Sequence, residues 1–74
     1  MQNPTPHVAR NVRAEMSRRR ITQAVVARHL NLSQSAVSLR LTGSQEFKVA
    51  ELQAVAELLG VPTASLLLPV EVAA

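Results

Sequence analysis

Apolar residues recur at helical spacing in two short segments between Thr22 and Gly43, and a polar break separates the two segments. In the first segment, Val26, Ala27 and Leu30 fall on one face, as the helical period requires. Thr22 precedes them with a hydroxyl of the kind that caps helices. The pattern predicts a helix of about eight residues, ending near residue 30.

The second segment, residues 34–42, places Val37 and Leu41 together on one side. Asn31, in the break, tolerates the left-handed backbone that ends a helix, and the serine two residues later is a second cap. The connection is short enough to fix the angle between the helices. Residues 22–43 therefore predict a helix-turn-helix, and we expect an all-α fold.

The other side of the second helix carries uncharged groups, with Gln34 at its tip, followed by Ser35, Ser38, Leu39 and Thr42. Base edges in the DNA major groove offer hydrogen bonds that glutamine and serine can read, and a thymine methyl offers an apolar contact to leucine. The alternative is an ordinary solvated helix face. The serines by themselves do not decide between the two interpretations.

The residues TQxxVAxxLxLSQSAVS, which begin at Thr22, resemble the phage-repressor-type helix-turn-helix family of Cro-like and lambda-repressor-like regulators. The similarity covers about residues 16–67 and implies a compact five-helix DNA-binding domain. It also implies that Gln23 binds a backbone phosphate and that Gln34 reads a base, usually adenine. Ala27 matches the small residue that lets the two helices approach.

The sequence departs from the family pattern at three positions. Arg40 stands where an apolar, buried residue is usual, so we expect Leu41 to take the core role and Arg40 to lie on the flank, free to reach phosphate or a base edge. An apolar contact between Met16 and Leu41 is expected to replace an ion pair of many relatives. Leu39 occupies a slot where Gln or Arg is frequent. The expected base contacts are Gln34, Ser35, Ser38, Leu39 and Arg40, and the target sequence stays open.

Charge divides the chain into a basic part and an acidic part. Seven arginines and one glutamate precede Glu46, whereas one lysine and four glutamates lie from Glu46 onward. A basic half that coincides with the motif is expected for a polyanion partner. The alternative for Arg18–Arg20 is that they complement the dipole of the first helix. In the family that the sequence resembles, the loop after the motif also touches the DNA backbone. The expected phosphate contacts are therefore Arg19, Arg20, Thr22, Gln23, Ser44, Gln45 and Lys48.

Three further helices are expected around the motif, over about residues 5–19, 49–59 and 62–67. Val8, Val12 and Met16 form the buried stripe of the first, and Lys48 leaves the start of the fourth poorly capped. The expected organisation is a flexible N-terminal arm, a DNA-binding domain and an apolar C-terminal tail, at residues 1–5, 6–68 and 69–74.

The C-terminal region is unusually apolar, through Leu58, Leu67, Leu68, Val70 and Val72. These residues either form a homodimer contact, in solution or only on DNA, or fold back over a small core. A dimer would place two recognition helices about 34 Å apart and require a palindromic, operator-like site.

Composition narrows the remaining function classes. The 74 residues suffice for one small domain, with 47% hydrophobic residues and Phe47 as the sole aromatic ring. The chain has no cysteine, no apolar run of membrane-spanning length and no signal-peptide pattern, so we expect a cytoplasmic, DNA-associated protein with no membrane contact. His7 and His29 are isolated, and no triad or phosphate loop is evident. We therefore expect no cofactor, no metal and no enzymatic activity.

Double-stranded DNA is thus the expected partner, and a Cro-like transcriptional repressor is the expected function. Two rivals stay open. One is another DNA-binding role for the same fold, in an antitoxin or a phage recombination directionality factor. The other is a protein-interaction module that has lost DNA binding and uses its apolar tail.

Overall fold

The computed structural model describes residues 5–68, and within that range it contains five helices and no strand. The helices are α1 (Thr5–Arg19), α2 (Gln23–Leu30), α3 (Gln34–Thr42), α4 (Val49–Leu59) and α5 (Thr63–Leu67). The expected all-α, five-helix architecture is confirmed. Of the expected arm, only Thr5 is described, and it begins α1. Residues 1–4 and the expected tail, 69–74, lie outside the described residues.

Three of the helices end in the same way. A residue with positive φ follows the helix, and the N–H of the next residue bonds to the carbonyl five positions back, at 2.9–3.0 Å. This pattern satisfies carbonyls that the helix leaves free, and the next residue is apolar and packs on the core. The pairs are Arg20 with Ile21, Asn31 with Leu32, and Gly60 with Val61. Each connection is thereby both hydrogen-bonded and anchored.

The core takes buried apolar side chains from all five helices. Val8, Val12 and Met16 supply the α1 stripe, as predicted. Phe47 is half-buried at the edge of the core, so aliphatic side chains fill the interior. The other buried members are Val26, Ala27, Val37, Leu41, Leu52, Val55, Ala56, Leu59 and Leu66.

Helix α1 is the scaffold against which α3, α4 and α5 are packed. Asn11 Nδ2 donates to the Leu66 carbonyl at 2.9 Å and to the Leu68 carbonyl at 2.6 Å, which fixes α5 on α1. Arg13 donates from Nη1 to the carbonyl of Leu41 and so ties α1 to the end of α3. Among residues 5–68, no helix has the length and apolarity needed to cross a membrane.

Candidate nucleic-acid interface

Helices α2 and α3 form a helix-turn-helix unit whose ends are capped as the sequence predicts. Thr22 Oγ1 accepts a hydrogen bond from Val25 N at 3.3 Å, and Ser33 Oγ accepts one from Ala36 N at 3.0 Å. Asn31 ends α2 in the left-handed region, with φ of 57°. Ala27, buried on α2, leaves little side chain between the helices, and the short turn fixes their orientation.

The outward side of α3 carries uncharged side chains. Val37 and Leu41 are buried on the inner side, which confirms the predicted core role of Leu41. Of the residues predicted to read bases, Gln34 is exposed at the first position of α3, Ser35 is exposed, Ser38 is half-buried and Leu39 is 47% exposed. Four of the five predicted base-reading residues are therefore accessible from solvent.

Arg40 is the exception, and the expectation that it lies free on the flank is wrong. Its side chain is buried on the inner side of α3 and pairs with Glu51 of α4. Nε lies 2.8 Å from Glu51 Oε1, and Nη2 lies 3.3 Å from Oε2. Nη1 donates to the Ala36 carbonyl at 2.9 Å. A buried guanidinium needs a counter-charge and hydrogen-bond acceptors, and α4 supplies the carboxylate.

Glu51 serves two purposes at once. Its Oε1 also accepts the N–H of Lys48 at 3.0 Å and thus satisfies a donor at the start of α4. The ammonium group of Lys48 can only donate hydrogen bonds, so the Lys48 side chain cannot cap the start of α4, as the sequence predicts. The carboxylate of Glu51 caps that start instead. Burial raises the pKa of the Glu51 carboxyl, but hydrogen bonds from Arg40 and Lys48 N–H and their charges outweigh it and leave the pKa below 4.5. The carboxylate is therefore ionised at neutral pH.

The loop between α3 and α4 holds three of the predicted phosphate contacts. Ser44, Gln45 and Lys48 are all exposed. Gln45 N donates to the Leu39 carbonyl at 3.1 Å, and the hydroxyls of Thr42 and Ser44 lie 3.0 Å apart. These bonds hold the first part of the loop against the end of α3. Glu51 holds its last residue, so both ends of the loop are fixed.

The start of α2 holds two further predicted phosphate contacts, Thr22 and Gln23. Both are exposed, although the Thr22 hydroxyl is engaged as the helix cap. Helix N-termini present free N–H groups and a partial positive charge, which favours anions. Gln23 stands at this end with its side chain accessible.

The arginines at the end of α1 differ in their partners. Arg18 Nη1 lies 2.6 Å from Glu15 Oε2, and Arg19 pairs with the other oxygen of the same carboxylate. Arg20 is exposed, has φ of 56°, and makes no ion pair with any residue between 5 and 68. Exposed ion pairs contribute little, about 0–1 kcal/mol, so Arg19 can exchange Glu15 for another anion at small cost.

Sequence reasoning missed two residues that position this surface. Arg13, exposed on α1, holds the last turn of α3 through the Leu41 carbonyl. Glu51 holds Arg40 from α4. Glu51 follows Lys48 by three residues, which is the spacing of the acidic residue in a capping box. This spacing was the one sequence signal that could have identified Glu51. The partner of Arg13 has no local signal, since it lies 28 residues away.

The structure offers little for other chemistry within its described part. Among residues 5–68, no three His, Cys, Asp or Glu side chains come together as a metal site would require. An open groove of about 390 Å³ between α2 and α4 is lined by Val25, Arg28, His29 and Leu58. It contains none of the predicted site residues.

The chain is similar to a known protein family. The family model described as the BetR domain matches residues 5–73, which is nearly the whole chain. No curated protein and no solved structure matches the chain.

Proposed function

Because the chain belongs to the BetR domain family of small helical regulatory domains, we propose that it is a regulator that binds double-stranded DNA sequence-specifically. The observation that carries the proposal is the outward side of α3. It presents Ser35, Ser38 and Leu39 to solvent, with Gln34 exposed at the start of the helix, while the inner side packs in the core. A helix of this width enters the major groove, where amide, hydroxyl and apolar groups read base edges.

Phosphate contacts would determine register and most of the affinity. We assign them to the amide end of α2 with Thr22 and Gln23, to Arg19 and Arg20, and to the loop residues Ser44, Gln45 and Lys48. The loop and the start of α2 flank the recognition helix along the chain, as the family resemblance implies. Arg40 has no part in this assignment, because its guanidinium is committed to Glu51.

The finer proposal is a Cro-like transcriptional repressor, non-enzymatic and cytoplasmic. Leu67 and Leu68 are 53% and 60% exposed, and exposed leucines of this kind favour contact with a second copy. Such a homodimer would read a palindromic site, with one half-site for each α3. Val70 and Val72, which the sequence adds to this candidate contact, lie outside the described residues.

Substitution of Gln34 tests the base-reading role. We expect Gln34→Ala to cost about 1–3 kcal/mol on a site selected by the unaltered chain from a pool of random duplexes, because that site offers the matching base edge. On random duplex the cost should be much smaller. Fluorescence anisotropy with labelled duplexes over a range of salt concentrations measures both. Gln53→Ala is the matched control, since Gln53 is an exposed glutamine on α4.

Substitution of Arg20 tests the phosphate role in the same assay. Arg20→Ala should weaken binding to both duplexes alike and reduce the salt slope by about 1.

Equal losses on both duplexes for Gln34→Ala would contradict the base-reading role. If the chain shows no salt-dependent binding to any duplex, the proposal as a whole is wrong.

A further inference from the structure

The recognition helix presents no charge to solvent, and this bears on which bases it reads. The one ionisable residue in α3 is Arg40, and its guanidinium is buried against Glu51. The exposed or half-buried side chains of the outward side end in amide, hydroxyl or methyl groups. An exposed cation of α1, Arg13, lies against the end of α3, where its Nη1 donates to the Leu41 carbonyl and not to a group on the outward side.

We infer that α3 reads a half-site whose central base pairs are A·T, and that Leu39 selects thymine; this inference rests on the proposed function. Guanine is most often read by the paired donors of arginine or lysine, which match its two acceptors in the major groove. With Arg40 turned inward, no such group is available on α3. Glutamine matches the donor and acceptor of adenine, and an apolar side chain matches the thymine methyl.

Leu39 is placed for this role by its exposure and by its fixed backbone. It is 47% exposed in the middle of α3, so about half of this apolar residue faces water. Its carbonyl accepts hydrogen bonds from Gln45 N and Thr42 Oγ1, both at 3.1 Å. These bonds fix the backbone from which the side chain extends, and a thymine methyl would cover an apolar group that otherwise faces water.

Selection of bound sequences from a random duplex pool is the first test. The expected result is a motif whose central positions are A·T pairs. A motif dominated by guanine and cytosine at those positions would overturn the inference and leave sequence-specific DNA binding intact. Binding without enrichment of any sequence would instead overturn the proposed base-reading function, and the inference with it.

Replacing thymine with deoxyuridine in the selected duplex is the second test, because it removes only the C5 methyl group. One buried methyl is worth about 0.8 kcal/mol, so binding by the unaltered chain should fall about 4-fold at the position that Leu39 contacts. The Leu39→Ala variant should bind the two duplexes equally. Val49→Ala, which truncates an exposed valine at the start of α4, should retain the 4-fold difference.

The two substitutions also separate a folding defect from a reading defect. Leu39 lies outside the core, so circular dichroism should show the same melting curve for Leu39→Ala as for the unaltered chain within a few degrees. If no thymine in the selected site gives a deoxyuridine effect, or if Leu39→Ala retains the effect, Leu39 does not select thymine.

Discussion

Neutralising Glu51 is the sharpest perturbation that the structure suggests. In Glu51→Gln, the amide oxygen can still accept from Arg40 Nε and Lys48 N. The amide NH₂ must then occupy the place of Oε2, which lies 3.3 Å from Arg40 Nη2. Two donors would face each other, and the guanidinium, whose side chain is 6% exposed, would lose its counter-charge. The substitution therefore isolates charge from shape.

The expected loss is large relative to the stability of so small a domain. Removing one partner of a buried ion pair costs about 3–5 kcal/mol, and the 15% exposure of the Glu51 side chain favours the lower end, about 3 kcal/mol. A chain of 74 residues has a free energy of unfolding of about 4–11 kcal/mol. A loss of about 3 kcal/mol should lower Tm by about 12–24 °C.

Thermal and urea unfolding followed by circular dichroism at the helical band measure this loss. Glu57→Gln is the matched control, because Glu57 is an exposed glutamate on α4 and should change stability by less than about 0.5 kcal/mol. The double variant Arg40→Met with Glu51→Leu should recover stability to within about 1 kcal/mol, the remainder being the lost cap on Lys48 N. A Glu51→Gln protein as stable as the Glu57→Gln control would refute the reasoning, as would a double variant no more stable than Glu51→Gln.

The pKa of Glu51, the backbone conformation of Arg20 and the burial of Leu66 each lead to a further prediction. Because the pKa of Glu51 is lowered in the folded chain, its contribution to stability is fully present above about pH 4.5 and is lost as the pH falls through the folded-state pKa. Acid titration should therefore destabilise the unaltered chain more than the Glu51→Gln variant. Arg20→Gly should raise the free energy of unfolding by about 1 kcal/mol, because it removes a side chain from a residue with φ of 56°. The same substitution should weaken DNA binding. A variant with both higher stability and tighter DNA binding would contradict the phosphate role. Leu66→Ala should cost about 2–5 kcal/mol in urea unfolding, since Leu66 is fully buried, and a loss below 1 kcal/mol would mean that α5 does not close the core.

Local sequence signals predicted the helix-turn-helix well because each of its boundaries depends on the residue that stands there. A hydroxyl at Thr22 and at Ser33 caps the helix that follows, and Asn31 accepts the left-handed turn. The apolar period then determines which side of α3 is buried. These effects act within about four residues, so the sequence alone predicts them.

Arg40 shows where such reasoning fails. Its neighbours in sequence gave no reason to bury a charge, and the reason lies 11 residues away in Glu51. The contacts of Asn11 with Leu66 and Leu68 are more distant still, at 55 and 57 residues. Partners of this kind depend on how helices assemble, and the periodicity of one helix carries no information about them.

The hydrogen bonds that hold the C-terminal end of α3 have a consequence for the shape of the DNA in the proposed complex. Arg13 binds the Leu41 carbonyl from one side, and Glu51 binds Arg40 from the other. In the complex that we propose, a helix held by two neighbouring helices would not tilt to suit an imperfect groove, so the DNA would have to change shape instead. Sites with identical contacted bases should then differ in affinity according to how easily their uncontacted steps bend or twist, and flexible pyrimidine–purine steps beside the contacts should bind more tightly than rigid adenine tracts.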